Sequence, residues 1–425
     1  MRGLGAISLA AFALGLAAEA AQAQEPIRIG ASLPLTGNFS VSGQRHQEGY
    51  ELCVEMINEK GGIDGRQLQL IVSDNRSDTE TAMSQHERLV NLEKVDLLFG
   101  TFSSKLTFPV SAVANQYGYV YPVPSGGALR IWTRGFDNMF YFQHNPPEFT
   151  GETLTNAIRD LVPEDQRPKT VAVVHADDFF ANAIADGLVG NKVMDPGGNE
   201  VADLAPGYLA DIGVEVVFND KWPEEGFSDW LNLANSIKQS GAEMVAAMTA
   251  SEEEAVQLTR ALQTVRAPVK LLYISQGTQA EFAEGTGGAS EGVIIHTAWH
   301  PKANWEGMLA GETFTNEDYV AAHEAKYGVP PVEDTAITFA VCQAMDQAIR
   351  GAGGPDNAKI KEWMHARTEQ EPIKTILGPF QWDERGLPVG KNFLLVQWQG
   401  GELRFVYPTD QFEGVVDLIY PKPDW

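Results

Sequence analysis

The chain has 425 residues, with 31 Lys and Arg against 57 Asp and Glu, and a formal net charge of −26. A surface this acidic repels phosphate backbones and anionic lipid, which argues against nucleic-acid binding and against peripheral membrane attachment. Two cysteines, Cys53 and Cys342, are too few for a disulfide framework and lack metal-ligand spacing; both fall at apolar helical positions, so buried free thiols are expected, with a bridge permitted.

The first residues indicate the compartment. Arg2 supplies a positive start, Leu4 to Ala18 is almost wholly apolar, and Ala21-Gln22-Ala23 offers small residues for cleavage, so residues 1–23 read as a secretory signal peptide cut after Ala23. The apolar run is roughly 15 residues where a spanning helix needs about 20. No later stretch reads as a span and no Cys follows the run to carry a lipid, so a freely diffusing periplasmic product is expected, with no membrane insertion after signal removal. Its charge is unchanged, because Arg2 and Glu19 leave together. About 400 residues remain, more than a single core usually organises, so two lobes are expected.

From Gln24 the chain alternates strand-like and helix-like segments. Ile27 to Leu33 is an apolar strand, and residues 43–60 place Tyr50, Cys53, Val54 and Ile57 on one helical face, ended by Gly61-Gly62. Gln67 to Val72 is a second strand; Ser77 and Glu80 read as a capping box opening a helix to about Leu92. Val95 to Phe99 is a third strand with a helix after Ser104, and Tyr119 to Val123 a fourth. A second series follows the irregular stretch Gln143 to Pro147, with strands at 170–175, 214–218, 244–248, 271–275 and 293–296 and helices near 178–190, 228–240 and 252–266. Asp195 to Ala210 reads as a surface insertion, residues 334–350 as an amphipathic helix, and Gly378 to Pro408 as strand and turn. The grammar is α/β, with two doubly wound parallel sheets.

The segments IRIGASLPLTG (27–37), MINEKGGIDGRQLQLIVSDN (56–75), LLFGTFSS (97–104), the turn from Pro124 to Gly127, VAVVHADDFF (171–180), ILGPFQWDERG (376–386) and LLVQW (394–398) stand in an order and spacing that resembles the leucine/isoleucine/valine-binding family of periplasmic solute-binding proteins. The resemblance implies two α/β lobes joined by three crossing hinge strands, near Asn145, Ala298 and Asn392, with the ligand cleft between them. One lobe would be 24–145 plus 298–392, the other 146–297 plus 393–425. It implies capture of a small molecule for a membrane permease of an ABC transporter, with no cofactor, no catalysis and no ATP site on this chain. The alternative is a soluble sensor that signals through a separate membrane receptor.

In open α/β sheets ligands bind beyond the carboxyl ends of the strands. Ser103 and Ser104 follow a strand and open a helix, so hydroxyls and N–H groups there suit an anion; alternatively Ser104 only caps its helix. The resemblance assigns a ligand carboxylate to Ser104 and to the turn Ser125, Gly126 and Gly127, where Gly127 replaces the family's hydroxyl-bearing Thr. Phe180 takes the position of an aromatic contact, Ala250 that of a Tyr, and Gln276 that of the Glu that balances an α-ammonium. With that counter-ion gone, a desolvated ammonium costs several kcal/mol, so the ligand is expected to be a carboxylic acid or amide rather than a simple α-amino acid. Phe39, Phe102, Phe180 and Trp299 would suit a flat or apolar body; each could equally be core packing.

Enzyme readings are weaker. His175, Asp177 and Asp178 end a strand but no nucleophile accompanies them. His296 and His300 have the spacing of helical zinc ligands on a segment that reads as strand and turn, and GTGG (285–288) and GAGG (351–354) do not join a strand to a helix as phosphate loops do.

Overall fold

The structure, a computed structural model, describes residues 24–194, 197–200 and 205–425. The expected leader, 1–23, lies outside the described residues, as do 195–196 and 201–204 of the expected insertion. No helix of the described residues is long and apolar enough to cross a membrane.

A first parallel sheet runs in the order Leu68–Asp74, Ile27–Leu33, Leu97–Phe99, with Ile29 opposite both Leu70 and Leu97. Ile27–Leu33 is nearly all buried because helices Ser40–Glu59 and Thr79–Asn91 pack against it, which is why its run reads as continuously apolar rather than alternating. Tyr121–Val123 pairs in parallel with Met139–Tyr141. The second sheet has seven strands in the order Glu402–Tyr407, Leu394–Gln399, Val293–Thr297, Leu271–Ile274, Met244–Met248, Thr170–Ala176, Glu215–Trp222. Its five alternating strands pair in parallel, and the C-terminal hairpin adds antiparallel at one edge, with Thr297 opposite Leu394. The architecture is α/β with two doubly wound lobes.

Three local expectations are corrected. Cys53 and Cys342 are not free thiols but form a disulfide, with 6.1 Å between their Cα atoms. They lie on helices Ser40–Glu59 and Glu333–Ala352, which pack so closely that a Cβ on Gly49 would stand 2.2 Å from the Thr335 carbonyl. The apolar positions that suggested buried thiols are the facing surfaces of two touching helices. Ser77 is not a cap: Asp78 caps helix Thr79–Asn91 by accepting from the Thr81 N–H, while Ser77 sits at φ +60° and donates to the Thr36 carbonyl. Helix Ser104–Gln116 has Ser103 at its N-cap, yet neither serine hydroxyl caps it.

Helices Asn316–Tyr327 and Asn357–His365 and the hairpin Glu306–Leu309 with Glu312–Thr315 went unread in the sequence. The first of these helices carries a signal, a capping box between Thr315 and Asp318.

Candidate functional site

Chain segments leaving the carboxyl ends of strands in both sheets meet around one cavity of about 40 Å³. From the first lobe come Phe102, Ser103 and Ser104 after Leu97–Phe99, Ser125 and Gly126 after Tyr121–Val123, and Tyr141 and Gln143. Asp178 and Phe180 follow Thr170–Ala176, Ala250 follows Met244–Met248, and Ser275, Gln276 and Gln279 follow Leu271–Ile274. His296 joins them from Val293–Thr297, while Glu333, Asp334 and Ile337 come from the first turns of helix Glu333–Ala352.

Local geometry explains several of these placements. Gly126 has φ +122°, and a Cβ there would lie 2.6 Å from the Thr107 side chain, so only glycine lets the turn close on the helix. Thr107 Oγ1 fixes that turn by donating to the Ser125 carbonyl at 2.8 Å. Asp178 is the N-cap of helix Phe179–Val189: its Oδ1 accepts from the N–H groups of Phe180 (2.8 Å) and Ala181 (3.1 Å). Its second oxygen, Oδ2, is buried without a partner.

That orphaned oxygen is not alone. Ser103 Oγ, Ser104 Oγ and Gln279 Oε1 are likewise buried and unpartnered, and all four residues line this cavity. Buried polar atoms are rarely left so, because each forfeits about 1–3 kcal/mol of lost hydration. Several in one cavity, donors and acceptors together, mark a place shaped for hydrogen bonds from elsewhere.

The electrostatics run against a purely anionic guest. Asp178, Glu333 and Asp334 line the cavity, and among the described residues no Lys or Arg does. Burial raises all three carboxyls, Glu333 up to about 8 with help from the neighbouring Asp334 charge. His296, bonded to the Tyr273 hydroxyl at 2.6 Å, is held down to about 4 by burial and is neutral at pH 7.

Polar contacts also cross the cleft. Ser42 Oγ lies 2.9 Å from Glu252 Oε1, Gln279 Nε2 donates to Asp334 Oδ2 at 3.0 Å, Lys105 pairs with Glu224 at 2.6 Å and Arg45 with Glu281 at 3.1 Å. These contacts bridge the two sides of the cavity.

A family profile described as periplasmic binding protein matches residues 26–191 and 187–402. The chain belongs to the periplasmic binding protein family. Similar relatives of this periplasmic binding protein include Leu/Ile/Val-binding protein homolog 7 of Brucella suis, 26% identical over 410 residues, spanning 95% of this chain and 96% of the relative. An amino acid binding protein of Pseudomonas aeruginosa is 25% identical over 375 residues, 87% of this chain and 89% of that one. Among solved structures, the Streptococcus pneumoniae branched-chain amino acid transporter substrate binding protein LivJ, in complex with isoleucine, superposes with a TM-score of 0.72 at 20% identity, covering 90% of this chain and 100% of that one. A solute binding protein from R. palustris in complex with benzoate gives 0.70 at 20% identity, covering 92% and 99%. These two likenesses bear on the fold.

Of the residues singled out in the sequence of this periplasmic binding protein, Phe102, Ser104, Ser125, Gly126, Phe180, Ala250 and Gln276 line the cavity. Gly127 does not: a Cβ there would be 2.2 Å from the Tyr141 hydroxyl, so that phenol fills the space a larger residue would need. Phe39 stands behind Phe102, edge to face at 5.5 Å, and lines an adjoining depression with Glu224, Trp230 and Ala250. Trp299 is buried, donating to Asn316 Oδ1 at 2.7 Å, and borders a separate groove. His296 and His300 do not converge, since His300 is bound to the Lys302 N–H at 3.1 Å.

Ser103, read beside Ser104 as a hydroxyl suited to an anion, lines the cavity as well, whereas Tyr141, Asp178, Gln279, Glu333 and Asp334 were missed as ligand-site residues. Asp178 was visible as one of two acids ending a strand, and Glu333-Asp334 as acids in the first turn of a helix, where a complement to the helix dipole explains them equally well.

Proposed function

We propose that this periplasmic binding protein is the solute-binding component of an ABC importer of the branched-chain amino acid type, and that it holds a small zwitterion between two poles of its cleft. The observation that carries the reading is the set of orphaned buried atoms. Ser103 and Ser104, at the positive end of helix Ser104–Gln116, offer hydroxyl donors to a carboxylate, while Asp178 Oδ2 offers a charge to an ammonium. The missing counter-ion at Gln276 then loses its force as an argument against amino acids, because other carboxyls stand in the same cavity.

The ligand is bound by closure. A cavity of about 40 Å³ is far smaller than the roughly 150 Å³ that admits benzene, so the cargo enters only when the lobes part, and they then close around it less tightly than they meet here. The division at Asn145, Ala298 and Asn392 is supported by the Asn145 amide donating to Asn392 Oδ1 at 3.0 Å, which brings two of the crossings side by side. The protein acts as a carrier, not a catalyst, and the mature chain begins at Gln24 in the periplasm.

A thermal-shift screen of amino acids, amides and carboxylic acids tests the reading, since a ligand at a hundred times its Kd adds about 2.7 kcal/mol to the native state. At least one zwitterion is expected to raise the melting temperature. A hit set confined to carboxylic acids without a cation would refute the two-pole site. Ser104→Ala is expected to weaken binding of the hit roughly tenfold by removing a charge-assisted bond, as read by calorimetry; unchanged affinity would leave Ser104 a merely structural residue.

A further inference from the structure

Beside the ligand cavity, one buried cluster is short of a hydrogen. Ser42 Oγ stands 2.9 Å from Glu252 Oε1 and 3.1 Å from Asp334 Oδ2. A hydroxyl has one hydrogen to donate. Whichever carboxyl receives it, the other meets Oγ oxygen to oxygen, a contact that is attractive only if that carboxyl carries its own proton. Asp334 Oδ2 already accepts from Gln279 Nε2 at 3.0 Å, which makes Glu252 the proton carrier.

The surrounding charges favour the same state. Arg45 is turned toward Glu48 (2.9 Å) and Glu281 (3.1 Å), and Asp334 and Glu281 add negative potential that opposes a second anion at Glu252. His46 Nε2 is 3.8 Å from Asp334 Oδ1, too far to share a proton, and burial lowers it to about 3.

Ser42 and Asp334 belong to helices Ser40–Glu59 and Glu333–Ala352, whereas Glu252 opens helix Glu252–Val265 on the other side of the cleft. We propose that Ser42, Glu252 and Asp334 form a proton-binding site completed only when the two sides of the cleft meet, so that closure takes up one proton. The proposal rests on the reading that the cleft opens and closes. It ties the proton to the cargo, because Asp334 and Gln279, which hold the cluster, also line the ligand cavity.

The direction of the pH effect follows. Burial, then the charge of Asp334, pushes Glu252 from the ordinary 4.5 up to about 7 in the closed form, while the open form returns it to water. Below the lower value both forms are protonated and closure is at full strength. Between the two, only the closed form keeps the proton, so each pH unit weakens closure by up to about tenfold. Above the higher value both are ionised and the dependence levels off.

Small-angle X-ray scattering of the ligand-free mature chain, residues 24–425, from pH 5 to 8.5 tests this. The radius of gyration is expected to rise between pH 5 and about 7.5 and then level. Glu252→Gln, whose amide donates to Ser42 without titrating, is expected to expand less than the native chain over the same range. Ser42→Ala, which removes the shared hydroxyl, is expected to expand at lower pH than the native chain, and it carries the test if circular dichroism shows Glu252→Gln unfolded. A native radius that does not change with pH, or variants that follow the native curve, overturn the proposal. Neither arm uses a ligand, so failure of the transport reading would show in the thermal-shift screen and leave these curves untouched.

Discussion

Replacing Asp178 with Asn is expected to weaken binding of a zwitterionic ligand by on the order of a hundredfold, without lowering the melting temperature of the ligand-free protein. The two halves of that expectation have separate causes. Asn is as good an N-cap as Asp, so Oδ1 can still accept from Phe180 and Ala181 and helix Phe179–Val189 stays anchored. What is lost is the charge at Oδ2, and a desolvated ammonium stripped of its partner forfeits about 3 kcal/mol, or two orders of magnitude in Kd. In the empty cavity that charge is a burden, since burial raises the Asp178 carboxyl above its ordinary range. The ligand-free variant is therefore expected to be at least as stable at pH 7 as the native chain. Calorimetry and thermal melts read both arms. Full affinity in Asp178→Asn would remove Asp178 from the site, and a large drop in stability would make it a structural residue.

The second large effect lies in the Cys53–Cys342 bridge. It closes a loop of 289 residues, and constraint of the unfolded chain grows with the logarithm of loop length, so losing it is expected to cost about 3–5 kcal/mol. Both sulfurs are buried, and a reductant gains them only through opening, so the native fold should persist in mild reductant and fail when denaturant is added. Urea midpoints of the oxidised protein, the reduced protein and the Cys53→Ala/Cys342→Ala variant are the measurement. The reduced protein isolates the bridge, and the double variant adds the loss of two packed sulfurs. Coincident oxidised and reduced midpoints would show that the bridge contributes nothing. Because both helices belong to the same hydrophobic core, removing the bridge is expected to leave ligand affinity unchanged at temperatures where the chain stays folded.

What was legible in the chain follows from the range of the forces involved. Ile27–Leu33 and Met244–Met248 were readable to the residue because a strand buried on both faces is written as an unbroken apolar run between turn residues. Ser104 could be placed near a ligand because it opens a helix just after a strand, where the topology opens the cleft, while Ser125 and Phe180 were placed by the family resemblance. Glu333 and Asp334 could not, since their helix comes to the cavity from 155 residues beyond Asp178, the other acid lining it, a convergence no local pattern encodes. The bridge was misread for the same reason: the helical periodicity around Cys53 and Cys342 shows that each faces inward, not that they face each other.

Gly127 and Tyr141 carry a consequence for how such a cleft could diverge. The phenol occupies the volume into which any side chain at 127 would grow, and Tyr141 lines the cavity beside the position where the family resemblance expects a hydroxyl-bearing Thr. The two positions are thus exclusive alternatives for delivering one oxygen. A lineage, or a laboratory selection, that moves from one arrangement to the other must cross an intermediate with either two groups in one space or none. Reprogramming the cargo of this protein at that wall therefore requires both codons to change together, and libraries that vary one residue at a time will find it closed.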